Sequence, residues 1–192
     1  TISGRDRLDK AQNVNWHARL LQLEDPVQSY EKERHVHSSG FGFEAHKENL
    51  RLMAADPDVF PKPSSIYNAV IIAAYNESYD ILEPTIQSVA NTAFDNDKII
   101  IVLAYEERGG AQMKETVIAL QEKFKHTFKV FLAIEHPDKL PNEVAGKGGN
   151  ITYAGHSLKQ WVHDHDIAFK DVMITTLDSD NRPHSTYFDY VT

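Results

Sequence analysis

Four short apolar runs rich in β-branched residues, each separated from the next by enough chain for a helix, constrain this sequence more than anything else in it. The runs are Tyr67–Ala74, Lys98–Tyr105, Lys129–Glu135 and Val172–Leu177. Between them, Tyr79–Ala90 reads as a helix with Ile81, Leu82, Ile86 and Val89 available to pack, and Gln112–Phe124 and Ile151–Val162 read as two further helices. Strands that are apolar on both faces and alternate with helices predict an α/β fold, a mostly parallel sheet with helices on both faces. On such sheets ligands bind beyond the carboxyl ends of the strands, so the residues standing there are the functional inventory.

The fourth run ends the most abruptly. Val172–Leu177 reads as a buried strand that delivers Asp178-Ser179-Asp180 to an edge, followed by turn formers. Strand alternation would send Asp178 and Asp180 to the same side and Ser179 away. Two carboxylates in one cleft repel unless a cation lies between them. A hard divalent ion such as Mg²⁺ or Mn²⁺ suits them, since it takes one or two carboxylates together with substrate phosphates. The first run ends in Tyr75-Asn76-Glu77 and the second in Tyr105-Glu106-Glu107-Arg108. Between runs three and four, Pro141–Asn150 reads as a glycine-rich loop opening a helix, with Lys147 beside free backbone N–H groups, a setting suited to phosphate oxygens. It is not a Walker A loop, because Gly148 rather than Ser or Thr follows the lysine.

The first 65 residues have a different texture. Leu8–Leu23 reads as a helix stopped by Asp25-Pro26, Glu44–Ala55 as a second, and Pro61-Lys62-Pro63-Ser64-Ser65 as a linker. The expected division is an accessory, mainly helical segment over 1–65 and a main domain over 66–192. His35 and His37 read as a polar surface pair, and His163-Asp164-His165-Asp166 as a solvated helix end. The net charge of −8 falls mostly on the main domain, which carries 11 Lys+Arg against 18 Asp+Glu. That balance argues against nucleic acid as a partner. Without cysteine the chain has no disulfide, thiolate metal site or Cys nucleophile. It opens without Met, and Tyr187–Thr192 reads as a helix just beginning, so a piece of a longer protein is expected.

Taken in order, Val70–Glu77, then Gly146-Lys147-Gly148-Gly149-Asn150, then Asp178-Ser179-Asp180 resembles the family 2 glycosyltransferases of the GT-A fold, over about residues 66–192. The resemblance implies a Rossmann-like nucleotide-diphospho-sugar domain, truncated at its C-terminal side. It implies a nucleotide-sugar donor, a UDP-sugar, whose base and ribose lie against Ala74, Tyr75, Asn76 and Glu77, with Lys147 beside the donor. Asp178 would contact the donor, and Asp180 would ligate the Mn²⁺ or Mg²⁺ that bridges the diphosphate. Asp178 and His184 are further candidates at that metal.

The chain also departs from the family. Many relatives end the second strand in an Asp that contacts the base, where this chain has Tyr105-Glu106-Glu107, leaving Glu106 as the candidate. The family's general base lies well downstream of the paired acids, so it is expected beyond Thr192, and this piece is expected to be inactive alone. The implied activity is inverting transfer to a carbohydrate or lipid-linked hydroxyl. It would take place at the cytoplasmic face of a membrane reached through regions outside this chain. A sugar-nucleotide pyrophosphorylase and a non-catalytic nucleotide-sugar-binding module remain the alternatives.

Overall fold

The computed structural model describes residues 2–141 and 146–192. Asn142 to Ala145, part of the expected glycine-rich loop, lie outside the described residues. Two compact units are present, one formed by the first 66 residues together with Thr186–Thr192, the other by Tyr67–Ser185. No helix among the described residues is long and apolar enough to cross a membrane.

The second unit is built on four parallel strands, β1 (Tyr67–Ala74), β2 (Ile99–Glu106), β3 (Val130–His136) and β4 (Val172–Asp178), in the order β3-β2-β1-β4. The α/β class and the parallel sheet expected from the alternation are therefore present. The central pair is buried on both faces. Ala69, Ile71, Ile100, Val102 and Ala104 pack with Ala154, Leu158 and Val162 of the helix Lys147–Asp164. The alternating positions Val70, Ile72, Ile101 and Leu103 point the other way and are also fully buried. Each such side chain contributes about 1.5–3 kcal/mol on burial, which makes β1 and β2 the most firmly held part of the unit. The helices Tyr79–Ala90 and Gly110–Phe124 pack on each other and bury Leu82, Ile86, Val89, Met113, Val117 and Leu120.

The fourth strand departs from expectation. Instead of a buried strand, β4 is an edge strand bonded only to β1, with Met173 and Ile174 exposed. Apolar character on both sides of a strand reads as central placement from sequence, but placement depends on neighbours that sequence does not name. The strand also stops at Asp178, and Ser179 and Asp180 form a turn. Strand alternation therefore does not set the direction of the Asp180 side chain.

The first unit differs from the sequence reading in its helix boundaries. The helix expected over Leu8–Leu23 is broken into Ile2–Gln12 and Trp16–Gln22. The break falls at Asn13–Asn15, where the Asn15 side chain accepts from Ala18 N at 2.9 Å and the Trp16 indole donates to Ala11 O at 2.8 Å. An N-cap side chain and a satisfied indole offset the lost turn. Asp25-Pro26, expected to be a stop, also starts a helix, Pro26–Glu33, with Asp25 accepting from Gln28 N at 3.0 Å and Pro26 at its first position. That helix packs on Phe43–Ala55, and Trp16–Gln22 packs on Tyr187–Val191. In chain order the helices are α1 (Ile2–Gln12), α2 (Trp16–Gln22), α3 (Pro26–Glu33), α4 (Phe43–Ala55), α5 (Tyr79–Ala90), α6 (Gly110–Phe124), α7 (Lys147–Asp164) and α8 (Tyr187–Val191).

Candidate functional site

Parallel register brings the strand ends to one edge of the sheet. Ala74 of β1 stands beside Tyr105 of β2, and Ala73 of β1 beside Asp178 of β4. The Tyr75–Glu77 turn, the Glu106–Arg108 turn and the Asp178–Asp180 turn thus leave the sheet at the same carboxyl edge. Residues far apart in sequence converge there because the strands run in one direction.

A cavity of about 290 Å³ opens at this edge, lined by Ala74, Tyr75, Glu77, Glu106, Arg108 and Lys147 among others. Backbone geometry shapes its floor. Glu77 folds back so that Oε2 accepts from Tyr75 N at 2.6 Å, and Oε1 accepts from Ser179 Oγ at 3.4 Å. Glu77 therefore ties the end of β1 to the turn after β4. Thr85 of α5 donates to Ser179 O at 2.7 Å and holds that turn from the other side. Opposite them, the side-chain amide of Asn150 donates to Ala74 O at 3.2 Å and to Ala104 O at 2.9 Å, clamping the first turn of α7 across the ends of β1 and β2.

The start of α7 lies earlier than the sequence reading, which began that helix at Ile151. Lys147, Gly148, Gly149 and Asn150 form its first turn, with Gly146 at the N-cap. The lysine is thereby carried on a fixed element, at the helix end whose dipole favours negative charge. Lys147 forms an ion pair with Asp178, and both side chains are more than half exposed. An exposed pair of this kind stabilises the fold by about 1 kcal/mol at most, so either member is readily exchanged for a ligand group.

The wall on the β2 side is charged as well. Glu106, almost fully buried, is paired with Arg108, and that hydrogen bond raises the guanidinium above its ordinary pKa. Arg108 lies over the Tyr75 ring, 5.0 Å from its centroid. Glu106 and Arg108 together separate the cavity from a second one of about 210 Å³ that reaches His136 and Lys139. Close approach of the two strand-end turns requires glycine at position 109, where a Cβ would overlap the Tyr75 carbonyl oxygen and stand 2.8 Å from Met113 Cβ. Gly109→Ala is accordingly expected to destabilise the chain by about 1–3 kcal/mol, measured by urea unfolding, through forced separation of these turns.

No protein-family model matches this chain, and no curated protein matches it in sequence. The geometry therefore stands by itself. Of the residues expected at the site, Ala74, Tyr75, Glu77, Glu106 and Lys147 line the cavity. Asp178 adjoins it through its ion pair with Lys147. Asn76 and Asp180 are exposed on the neighbouring turns, and His184 is exposed on the segment beyond Asp180, outside the cavity lining. Arg108 and Asn150 were given no role by the sequence reading. The available signal for Asn150 is a polar residue in line, at four-residue spacing, with the apolar positions Ala154, Leu158 and Val162 of the same helix, three positions after the lysine.

Among the described residues no three His, Cys, Asp or Glu side chains cluster closely enough to hold a metal by themselves. The donor set at this edge is instead a few hard carboxylate oxygens, those of Asp178 and Asp180. That suits Mg²⁺ or Mn²⁺, which complete their shell with water and substrate phosphate, and does not suit a fully protein-ligated zinc.

Proposed function

We propose that the unit Tyr67–Ser185 is the donor-binding part of a GT-A-type glycosyltransferase that takes a nucleoside diphosphate sugar, a UDP-sugar, as its donor. The observation that carries this reading is the meeting, at one carboxyl edge, of a lysine on a helix start with the acidic turn Asp178–Asp180. A diphosphate needs both positive charge and N–H donors, and a metal needs carboxylate oxygens. Both sets lie on the same rim.

In this reading the base and ribose lie over Tyr75 and between the Glu77 and Glu106–Arg108 walls. Lys147 exchanges Asp178 for a diphosphate oxygen, and the α7 N-terminus adds its dipole at no reorganisation cost. Asp180 would hold the divalent cation, with Asp178, once released by Lys147, available as a second carboxylate on the same turn. When bound, the cation offsets the charge that develops on the departing diphosphate. Attack on the sugar by an acceptor hydroxyl further requires a general base, a role that no residue of this edge is assigned.

Calorimetric titration with UDP, GDP, ADP and CDP, each with Mn²⁺ and with EDTA, tests the reading. UDP is expected to bind in Mn²⁺ and to bind at least about tenfold more weakly in EDTA. Equal affinity in both conditions would remove the metal from the site. No binding of any nucleoside diphosphate would remove the donor as well.

A further inference from the structure

Arg108 stands where a flat ligand ring would stack. Its guanidinium lies over the Tyr75 ring, 5.0 Å from the centroid, and both residues line the cavity of about 290 Å³ at the carboxyl edge. The Tyr75 residue is 41% exposed and the Arg108 side chain 35% exposed, so neither is sealed in the interior. A nucleobase stacked on that face of the ring and the guanidinium cannot be there together.

A second place for the guanidinium lies beside the first. Glu106, at the end of β2, anchors Arg108 by an ion pair. Asp138 Oδ1 stands 4.0 Å from Arg108 Nε, at the limit of an ion pair. The neighbouring cavity of about 210 Å³ is lined by Glu106, Arg108 and Asp138, so there is space on that side for a planar group. Asp138 is kept within reach because its backbone N–H donates to Glu107 Oε2 at 2.9 Å, which ties the turn after β3 to the turn after β2. Its own cation partner besides Arg108 is Lys139, 3.6 Å away and 89% exposed, a pair that holds the carboxylate weakly.

We propose, resting on the donor reading of this edge, that Arg108 covers the base-binding face of Tyr75 in the free protein and gives it up to an incoming nucleobase, turning about its Glu106 pair to close on Asp138. Arg108 is then a positioning residue, which holds the ring's place until the donor arrives. Magnitudes favour the exchange. Stacking a base on an aromatic ring is worth about five- to a hundredfold in affinity, whereas an exposed cation on the same ring is worth about two- to fivefold. The guanidinium loses no carboxylate in the move, since Glu106 is kept and Asp138 is gained. Arginine suits the task because its planar fork both stacks on a ring and pairs with carboxylates, which the compact ammonium of lysine does less well.

The test is calorimetry with UDP in Mn²⁺ on the 192-residue chain and its variants, with circular dichroism confirming each fold. Arg108→Lys keeps a charge beside Glu106 but loses the planar group, so UDP is expected to bind about two- to fivefold more tightly. In a Tyr75→Ala background that gain is expected to vanish, which a general change of charge or stability would not bring about. Asp138→Asn removes the carboxylate that receives the guanidinium, so UDP is expected to bind about twofold more weakly or worse. The Asp138 side chain is itself partly exposed, so this variant decides the matter even if Arg108→Lys fails to fold. UDP binding that is unchanged or weaker in Arg108→Lys, a gain that persists without the Tyr75 ring, or an Asp138→Asn chain that binds like the parent would each overturn the exchange while leaving the donor reading in place. Absence of UDP binding by both the parent and Arg108→Lys would overturn the two together.

Discussion

Asp180→Asn is expected to remove the metal-dependent part of UDP binding, a loss of about tenfold or more in affinity in Mn²⁺, while binding in EDTA stays as in the parent chain. The side chain is exposed on the turn after β4 and no packing depends on it, so stability should change by no more than about 0.5 kcal/mol. Asparagine keeps the shape and one neutral oxygen but loses the charge that a hard cation requires. Lys147→Ala is the complementary variant. It takes away a cation that meets the diphosphate directly, so it should weaken UDP in EDTA as well as in Mn²⁺. The contrast assigns the two roles: metal-dependent loss at position 180, metal-independent loss at position 147. If Asp180→Asn weakened UDP equally in both conditions, the carboxylate would be acting on the nucleotide itself rather than through a cation. The two variants must be compared at one ionic strength, because screening acts on exposed charges such as Lys147 and Asp178.

How far the site could be read from sequence depended on how local each determinant was. The runs at β1 and β2 are buried on both faces by their own composition, so their existence and parallel pairing were legible before any neighbour was known. With those two strands fixed, the carboxyl edge followed, and with it the places of Glu77 and Glu106. The place of β4 did not follow. Val172–Leu177 has the same β-branched texture as β1, yet Ile174 is 60% exposed, because only one neighbour pairs with it. Helix starts were misread for a related reason. The glycines at 148 and 149 suggest a loop, but they lie in the first turn of α7, where Asn150 anchors the turn to carbonyls of two strands. That anchor is tertiary, and no helix propensity reveals it. The Glu106–Arg108 pair was equally hidden. Two residues of opposite charge separated by one position read as a polar turn, and only the closeness of the Tyr75 ring turns them into the wall of a cavity.

Asn150→Ala is expected to be strongly destabilising, by about 2–4 kcal/mol in urea unfolding. The Asn150 side chain is 1% exposed, and its amide is the donor to Ala74 O and Ala104 O, carbonyls of buried residues at the carboxyl ends of β1 and β2. Truncation leaves carbonyls at the ends of β1 and β2 without that donor, each at about 1–3 kcal/mol. One contribution offsets this. Asn150 Oδ1 is itself buried without a partner, so the alanine also removes an unmet acceptor and returns part of the loss. Asn150→Asp separates the contributions: it fills the same volume but puts acceptors against the two carbonyls and buries a charge, so it should be worse than alanine, about 3–5 kcal/mol. The consequence reaches the ligand because Lys147 lies one helical turn before Asn150, and loosening that turn frees the lysine from its place beside Asp178. UDP affinity should therefore fall in Asn150→Ala even at temperatures where the variant is fully folded, and it should fall in EDTA as well as in Mn²⁺, as for Lys147→Ala. A loss of stability under about 1 kcal/mol, or an aspartate variant more stable than the alanine one, would mean that the clamp does not hold the helix to the strands.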